Sequence, residues 1–246
     1  MVNPADATLS SLAASGRIPS FVAEALTGAI CAGLRILIAG DTSDGRTALA
    51  AALAEQVPGD CRIVTVEDTA TLDLRARRGV GADVVELART FPGRANRPEP
   101  MFVLLANIDR MLADWLVVDG LPAEDLFPAL LWLDASQHGS IITVATRSRL
   151  PLPQRLRVEG DDGRRATQHL LATGLSEVAH LGIDVEATAA GWAVAGVWDM
   201  AATCDGEPAP LLVWAPGAPS WFGESSPTLA RCQHAMAAGT FGGGRR

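Results

Sequence analysis

Residues 35–39, Arg-Ile-Leu-Ile-Ala, carry an apolar run with no polar alternation, so a strand built from them must be buried on both faces. The run leads straight into Gly40-Asp41-Thr42-Ser43-Asp44-Gly45-Arg46-Thr47. An alanine- and leucine-rich helix then extends from Thr47 to Val57 and stops at Pro58-Gly59. A two-sided strand, a turn and a helix form the repeating unit of parallel sheets covered by helices on both faces. The rest of the chain keeps that alternation. Helices are predicted at 20–34, with Ser20 as N-cap, and at 101–113, 123–135 and 166–179; strands are predicted at 62–66, 83–87, 115–118 and 140–145. Residues 183–188 and 192–198 flank Ala-Ala-Gly, and 211–214 follow, which predicts an antiparallel addition at the sheet edge. Trp192 and Trp198 share parity in that hairpin and are assigned to the core. The fold class is therefore α/β with a mostly parallel sheet. It is divided into an N-terminal segment 1–19, a domain 20–214 and a loosely held Gly/Pro-rich tail 215–246.

Composition removes several chemistries. The 246 residues include 20 basic side chains, all arginine, and no lysine, so Schiff-base and pyridoxal-phosphate chemistry are excluded. A formal charge of −8 argues against nucleic acid as a partner. The 4 cysteines are spaced too widely for a metal or redox pair and are expected to be reduced thiols. His138, His169, His180 and His234 share no metal-ligand spacing and are expected at the surface or in the tail. The N-terminus lacks a basic segment followed by an apolar run, and the apolar windows at 102–118 and 126–133 are interrupted or short, so no transmembrane segment and a cytoplasmic location are expected.

The segment Gly40 to Thr47 has the G-x-x-x-x-G-K-[ST] frame of a phosphate-binding loop, with arginine in the lysine position. In such a loop the glycines let backbone N–H groups face a phosphate, the helix N-terminus adds positive potential and the threonine hydroxyl reaches magnesium. The candidate nucleotide-binding residues are thus Gly40, Asp41, Thr42, Ser43, Asp44, Gly45, Arg46 and Thr47. The same eight residues also suit an ordinary turn between strand and helix. Asp41 and Asp44 place carboxylates near a bound polyphosphate, at a cost of about 1 kcal/mol per pair at 4 Å in water and about 4 at an effective dielectric of 20. Arg46 keeps the charge but moves it to a planar, longer fork. Asp119, ending the apolar run 116–118, is the candidate carboxylate for magnesium beside Thr47, although Asp before Gly-Leu-Pro is also a common turn.

Together these segments resemble the type II/IV secretion ATPases, in particular the CpaF-like motors of tight-adherence pili and conjugation systems. The resemblance starts at Ser15-Gly16-Arg17-Ile18-Pro19, runs through the loop, and is most specific at residues 62–74, Arg-Ile-Val-Thr-Val-Glu-Asp-Thr-Ala-Thr-Leu-Asp-Leu, which is similar to the family's acidic box. It implies a P-loop NTPase (RecA-like) three-layer fold, ATP and Mg2+ as ligands, and Glu67 as a catalytic carboxylate near the attacking water. Departures cluster where hydrolysis is carried out in the family. Gly120 replaces a strand-end glutamate, Pro122 an arginine, and Gln137 and Ala145 two histidines. On this resemblance the family's N-terminal domain is expected to be missing before residue 15, and with it the family's homohexamer is not expected here.

Phosphoryl transfer depends on placed positive charge and a group that orients water, and loss of one such contact costs about 10²–10³ in rate. The expected function is a pseudo-ATPase that acts as adaptor or regulator of an intact secretion-motor subunit, or of the inner-membrane secretion platform. Its location is then cytoplasmic and peripheral to the inner membrane through those partners. The alternatives are a truncated ATP-binding motor with slow hydrolysis, and an α/β domain whose loop is a plain turn.

Overall fold

A computed structural model describes residues 7–90, 101–122, 125–126, 129, 139–147, 150–159, 175, 178–204, 207–218, 220–221 and 226–238. The described helices are α1 (Leu9–Ala14), α2 (Ser20–Cys31), α3 (Ser43–Ala54), α4 (Leu74–Arg78), α5 (Met101–Leu105), α6 (Leu152–Glu159) and α7 (Pro227–Ala238). The strands are β1 (Arg35–Gly40), β2 (Ile63–Thr69), β3 (Val84–Thr90), β4 (Trp115–Leu121), β5 (Gly139–Ala145), β6 (Leu181–Thr188), β7 (Gly191–Asp199), β8 (Thr203–Cys204), β9 (Glu207–Pro208) and β10 (Leu211–Trp214). Eight of them form one sheet in the order β10-β7-β6-β1-β5-β4-β2-β3, while β8 and β9 pair separately. From β6 to β3 every neighbour is parallel, and β7 and β10 add antiparallel pairs at one edge.

The apolar run 35–39 lies in the middle of this sheet, as β1. In β1, Ile36 and Ile38 enter one core with α2 and α3, whereas Leu37 and Ala39 enter a second core with α5 and α6. Alternating side chains of a strand point to opposite faces, so a central strand under helices on both sides has to be apolar throughout. Helix α3 lies over the first face with Ala48, Ala50, Ala51, Ala52 and Ala54 all buried, and these small side chains let its backbone come close to the strands.

Several local expectations change. Helix α2 begins at Ser20 itself after an extended Pro19, with no side-chain cap. The single helix expected over 101–113 is α5 followed by a 3-10 turn, Ile108–Met111, that ends at Leu112 in left-handed geometry (φ 52°). The expected helices 123–135 and 166–179 fall largely outside the described residues, as do His138, His169 and the loop 91–100. Trp192 and Trp198 both pack on apolar clusters, but on opposite faces of the sheet. An extra residue in β7, Ala195, forms a β-bulge opposite Asp184 and Val185 of β6 and shifts the register by one residue, which reverses side-chain parity along β7.

The tail expected from 215 is not loose over 227–238. Helix α7 packs on α2 through buried Leu229, Cys232 and Ala235. Its start is tied to the sheet by buried Asp199, which accepts hydrogen bonds from Ser226 Oγ (2.5 Å) and Thr228 Oγ1 (2.7 Å), while Ser226 Oγ accepts from the Leu229 N–H. High Gly, Pro and Ser content upstream hid a capped amphipathic helix. Cys31, Cys61 and Cys232 are buried free thiols, and burial pushes Cys232 up to about 12.

His180 also departs from its surface assignment. It lies just before β6, its Nδ1 accepts the Arg35 N–H at 3.0 Å, and burial followed by the charges of Arg35 and Arg231 lowers its pKa to about 4. The unfolded chain takes up this proton near pH 6.5 and the folded chain near 4, so stability falls as pH drops through that window. His180→Asn, whose amide oxygen can accept the same N–H, removes this slope. Urea denaturation between pH 4.5 and 7 is expected to show a flatter profile for the variant, because buried carboxylates contribute equally to both proteins.

Candidate functional site

The C-terminal ends of β1, β5, β4 and β2 lie side by side, which is where open parallel sheets place their ligands. Asp119 lies near the end of β4 at 5% exposure, within a register shift between Val118 and Leu121. Thr47 Oγ1 from α3 donates to its Oδ2 at 2.8 Å, and Thr143 Oγ1 from β5 donates to its Oδ1 at 2.6 Å. Burial raises the Asp119 pKa, and the two hydroxyls together with the Arg46 charge oppose that rise. The structure therefore brings together the two candidate magnesium residues, Thr47 and Asp119. Thr143 was not anticipated, although a polar residue inside the apolar run Ile-Ile-Thr-Val is the signal that marks it.

Residues 40–47 are more closed than a phosphate-binding loop of that motif would be. Helix α3 starts at Ser43, so Ser43, Asp44, Gly45 and Arg46 form its first turn and only Asp41 and Thr42 connect it to β1. The N–H groups of that turn sit at the positive end of the helix dipole, beside the exposed Asp44 carboxylate. Arg46 folds inward to 6% exposure and donates from NH1 to the Gly40 carbonyl at 2.6 Å. Burial lowers its pKa, against the charges of Asp119 and Asp41. Gly40 O also accepts the Thr146 N–H at 3.0 Å. The second glycine serves packing: a Cβ on Gly45 would lie 2.7 Å from Val185 Cγ1 and 2.9 Å from the Trp192 ring. Asp41 is tied outward, its Oδ1 accepting the Ala187 N–H at 3.1 Å.

Glu67 ends the apolar part of β2, paired in register with Asp119 and 1% exposed. Its Oε2 accepts the N–H groups of Thr71 (2.7 Å) and Leu72 (2.8 Å), and its Oε1 accepts Thr65 Oγ1 (3.1 Å). Burial raises its pKa and these donors oppose the rise. This carboxylate thus organises the turn leading to α4. Gly120 has φ 78°, and a Cβ there would lie 2.9 Å from Asp68 Cβ. Ala145 is exposed at the end of β5, Pro122 follows β4, and Gln137 lies outside the described residues.

No protein-family model matches the chain. It is 29% identical over 191 residues to the "Putative conjugal transfer protein" of two strains of Mycobacterium tuberculosis, an alignment covering 75% of this chain and 52% of that protein. The chain thus spans about half the length of the curated relatives it matches. Its fold is shared with the VirB11 ATPase of the Brucella suis type IV secretion system, crystallised with sulphate, at TM-score 0.58 and 24% identity over 78% of this chain and 54% of that one. It is shared also with the Legionella pneumophila ATPase DotB (0.53, 16% identity, 94% and 56% covered) and the pilus retraction motor PilT with bound ADP (0.52, 13% identity, 96% and 59% covered).

Gly120 holds a left-handed conformation that side chains rarely adopt. Gly120→Ala is expected to destabilise the protein by about 1–2 kcal/mol, because a Cβ is disfavoured at that φ. Gly59→Ala, with nothing near its Cβ, is expected to change stability by less than about 0.5 kcal/mol in the same urea titration.

Proposed function

We propose that this chain is a degenerate, CpaF-like member of the type II/IV secretion ATPases that retains a RecA-like P-loop scaffold and acts as a pseudo-ATPase adaptor or regulator. The observation that carries the reading is the direction of Arg46. Its guanidinium is buried on the Gly40 carbonyl of its own loop, where a γ-phosphate would need a cation facing outward. The partner on this reading is an intact motor subunit, or the inner-membrane secretion platform to which such a motor docks. Its location is the cytoplasm, peripheral to that membrane. No helix among the described residues is long and apolar enough to cross a membrane. The domain that carries the site is assigned to 20–214, extended by the packed helix α7.

The residues fit the two implied ligands unequally. Thr47 points its proton at Asp119, which leaves hydroxyl lone pairs for a cation, so Thr47 and Asp119 are the groups that would hold magnesium. Bound there, the ion would supply positive charge to the phosphates of ATP. The phosphate loop does not fit a triphosphate in this form: Arg46 is turned in, Asp44 stands at the helix N-terminus, and Glu67 already accepts three hydrogen bonds from the protein. Gly120 offers no carboxylate to orient water. The Thr47–Asp119 bond favours a second reading, an ATP-binding motor with slow hydrolysis.

Calorimetric titration of Mg-ATP into the protein and into Thr47→Ala, with phosphate release followed in parallel, separates the readings. The pseudo-ATPase reading expects no phosphate release above background. Any nucleotide binding that does occur is expected to be lost in Thr47→Ala. Turnover abolished by Thr47→Ala would establish the motor reading instead.

A further inference from the structure

The loop's closure is held from outside the motif. The β6–β7 hairpin rests against it at three points. Gly40 pairs in register with Val185, the Ala187 N–H bonds Asp41, and the Trp192 ring and Val185 fill the space where a Cβ on Gly45 would sit. Trp192 is itself fixed by the segment that precedes α2. The Arg17 guanidinium lies 4.9 Å from the Trp192 ring centroid, its NH1 donates to the Trp192 carbonyl at 2.7 Å, and the Arg17 carbonyl accepts the Val194 N–H at 2.9 Å. Arg17 is 9% exposed, so this stack is shielded from water, where cation–π attraction is strongest. A continuous line of contacts therefore joins residue 17, the hairpin tip and the first turn of α3.

Inside the loop, two buried polar atoms have no hydrogen-bond partner among the described residues: Arg46 Nε and Thr42 Oγ1. A buried donor left unpaired carries a cost that a rearranged loop would relieve.

We infer that the β6–β7 hairpin is a clasp that holds the phosphate loop closed, with Arg17 stacked on Trp192 as its catch and the Asp41 to Ala187 bond as its second tie. The clasp governs access of anions to the first turn of α3. That consequence, though not the clasp itself, rests on reading residues 40–47 as a nucleotide loop. Release of Arg17 lets Trp192 lift from Gly45, and Arg46 can then leave the Gly40 carbonyl.

Hydrogen exchange at the amides of residues 46–49, the first bonded turn of α3, tests this directly. Trp192→Ala removes a large core side chain and endangers folding, so the variants are Arg17→Met, which keeps the stem and loses the charge, and Asp41→Ala. Each is expected to speed exchange at 46–49 by about tenfold, the scale of losing a cation–π contact or a charged hydrogen bond, with β4 and β5 amides unchanged. Unchanged exchange at 46–49, or equal acceleration in β4 and β5, overturns the clasp. In a second arm, Mg-ATP is titrated into Arg46→Lys with and without Arg17→Met. About tenfold tighter binding in the double variant supports control of the loop by the clasp, and equal measurable binding in both overturns it. Faster exchange with no binding in either overturns the nucleotide reading alone, leaving the clasp upheld.

Discussion

The arrangement at the strand ends depends on the burial of one carboxylate. Asp119 lies at 5% exposure between α3, β4 and β5, where an unpaired charge would cost several kcal/mol. Two threonine hydroxyls from two other elements make the burial tolerable, and in doing so they fix the distance of the start of α3 from both strands. The bulge after Val118 follows from the same demand, because Gly120 must turn its N–H toward Thr143 Oγ1 (2.8 Å) to complete the set. The left-handed φ of Gly120 is thus part of the device that accommodates Asp119. A side chain at 120 would need both that left-handed φ and room beside the Asp68 Cβ, so the geometry that accommodates Asp119 disfavours any residue but glycine there.

Glu67 is the second buried carboxylate at the strand ends, and the protein itself supplies its partners. Two backbone N–H groups and a hydroxyl converge on it, and together they brace the chain as it leaves β2 for α4. The resemblance over residues 62–74 therefore speaks for the scaffold more strongly than for hydrolysis.

Legibility in the sequence followed the range of the interaction. β1, β4, β5 and the β6–β7 hairpin were readable because continuous apolar runs and the Ala-Ala-Gly turn are local signals. Thr47, from the loop motif, and Asp119, from the acid that follows an apolar run, are legible as candidates, and they do meet. Three features depended on contacts between distant segments and left no local trace. Helix α7 is anchored by Asp199 from β7, the bulge that sends Trp192 and Trp198 to opposite faces arises from strand pairing, and His180 is neutralised by burial against β1. The early start of α3 was missed for another reason. Glycine and aspartate at 44–45 read as a loop, yet Asp44 suits a helix first turn and Gly45 is the only residue small enough to lie under Trp192.

The absence of lysine takes on a specific meaning at Arg46. At an exposed position the two cations are nearly equivalent, and a chain without lysine loses little. In a phosphate loop they differ, because an ammonium is a compact, strongly hydrated charge, whereas a guanidinium is more weakly hydrated and offers a rigid fork of donors. The weaker hydration lowers the cost of burying Arg46 at 6% exposure, and the fork lets NH1 reach the loop's own Gly40 carbonyl, with Asp41 and Asp119 near enough to offset the charge. A lysine there would gain less from turning inward and would be drawn to solvent or to an anion. Arginine thus serves as an internal fastener, tying the first turn of α3 back to the end of β1 through the Gly40 carbonyl.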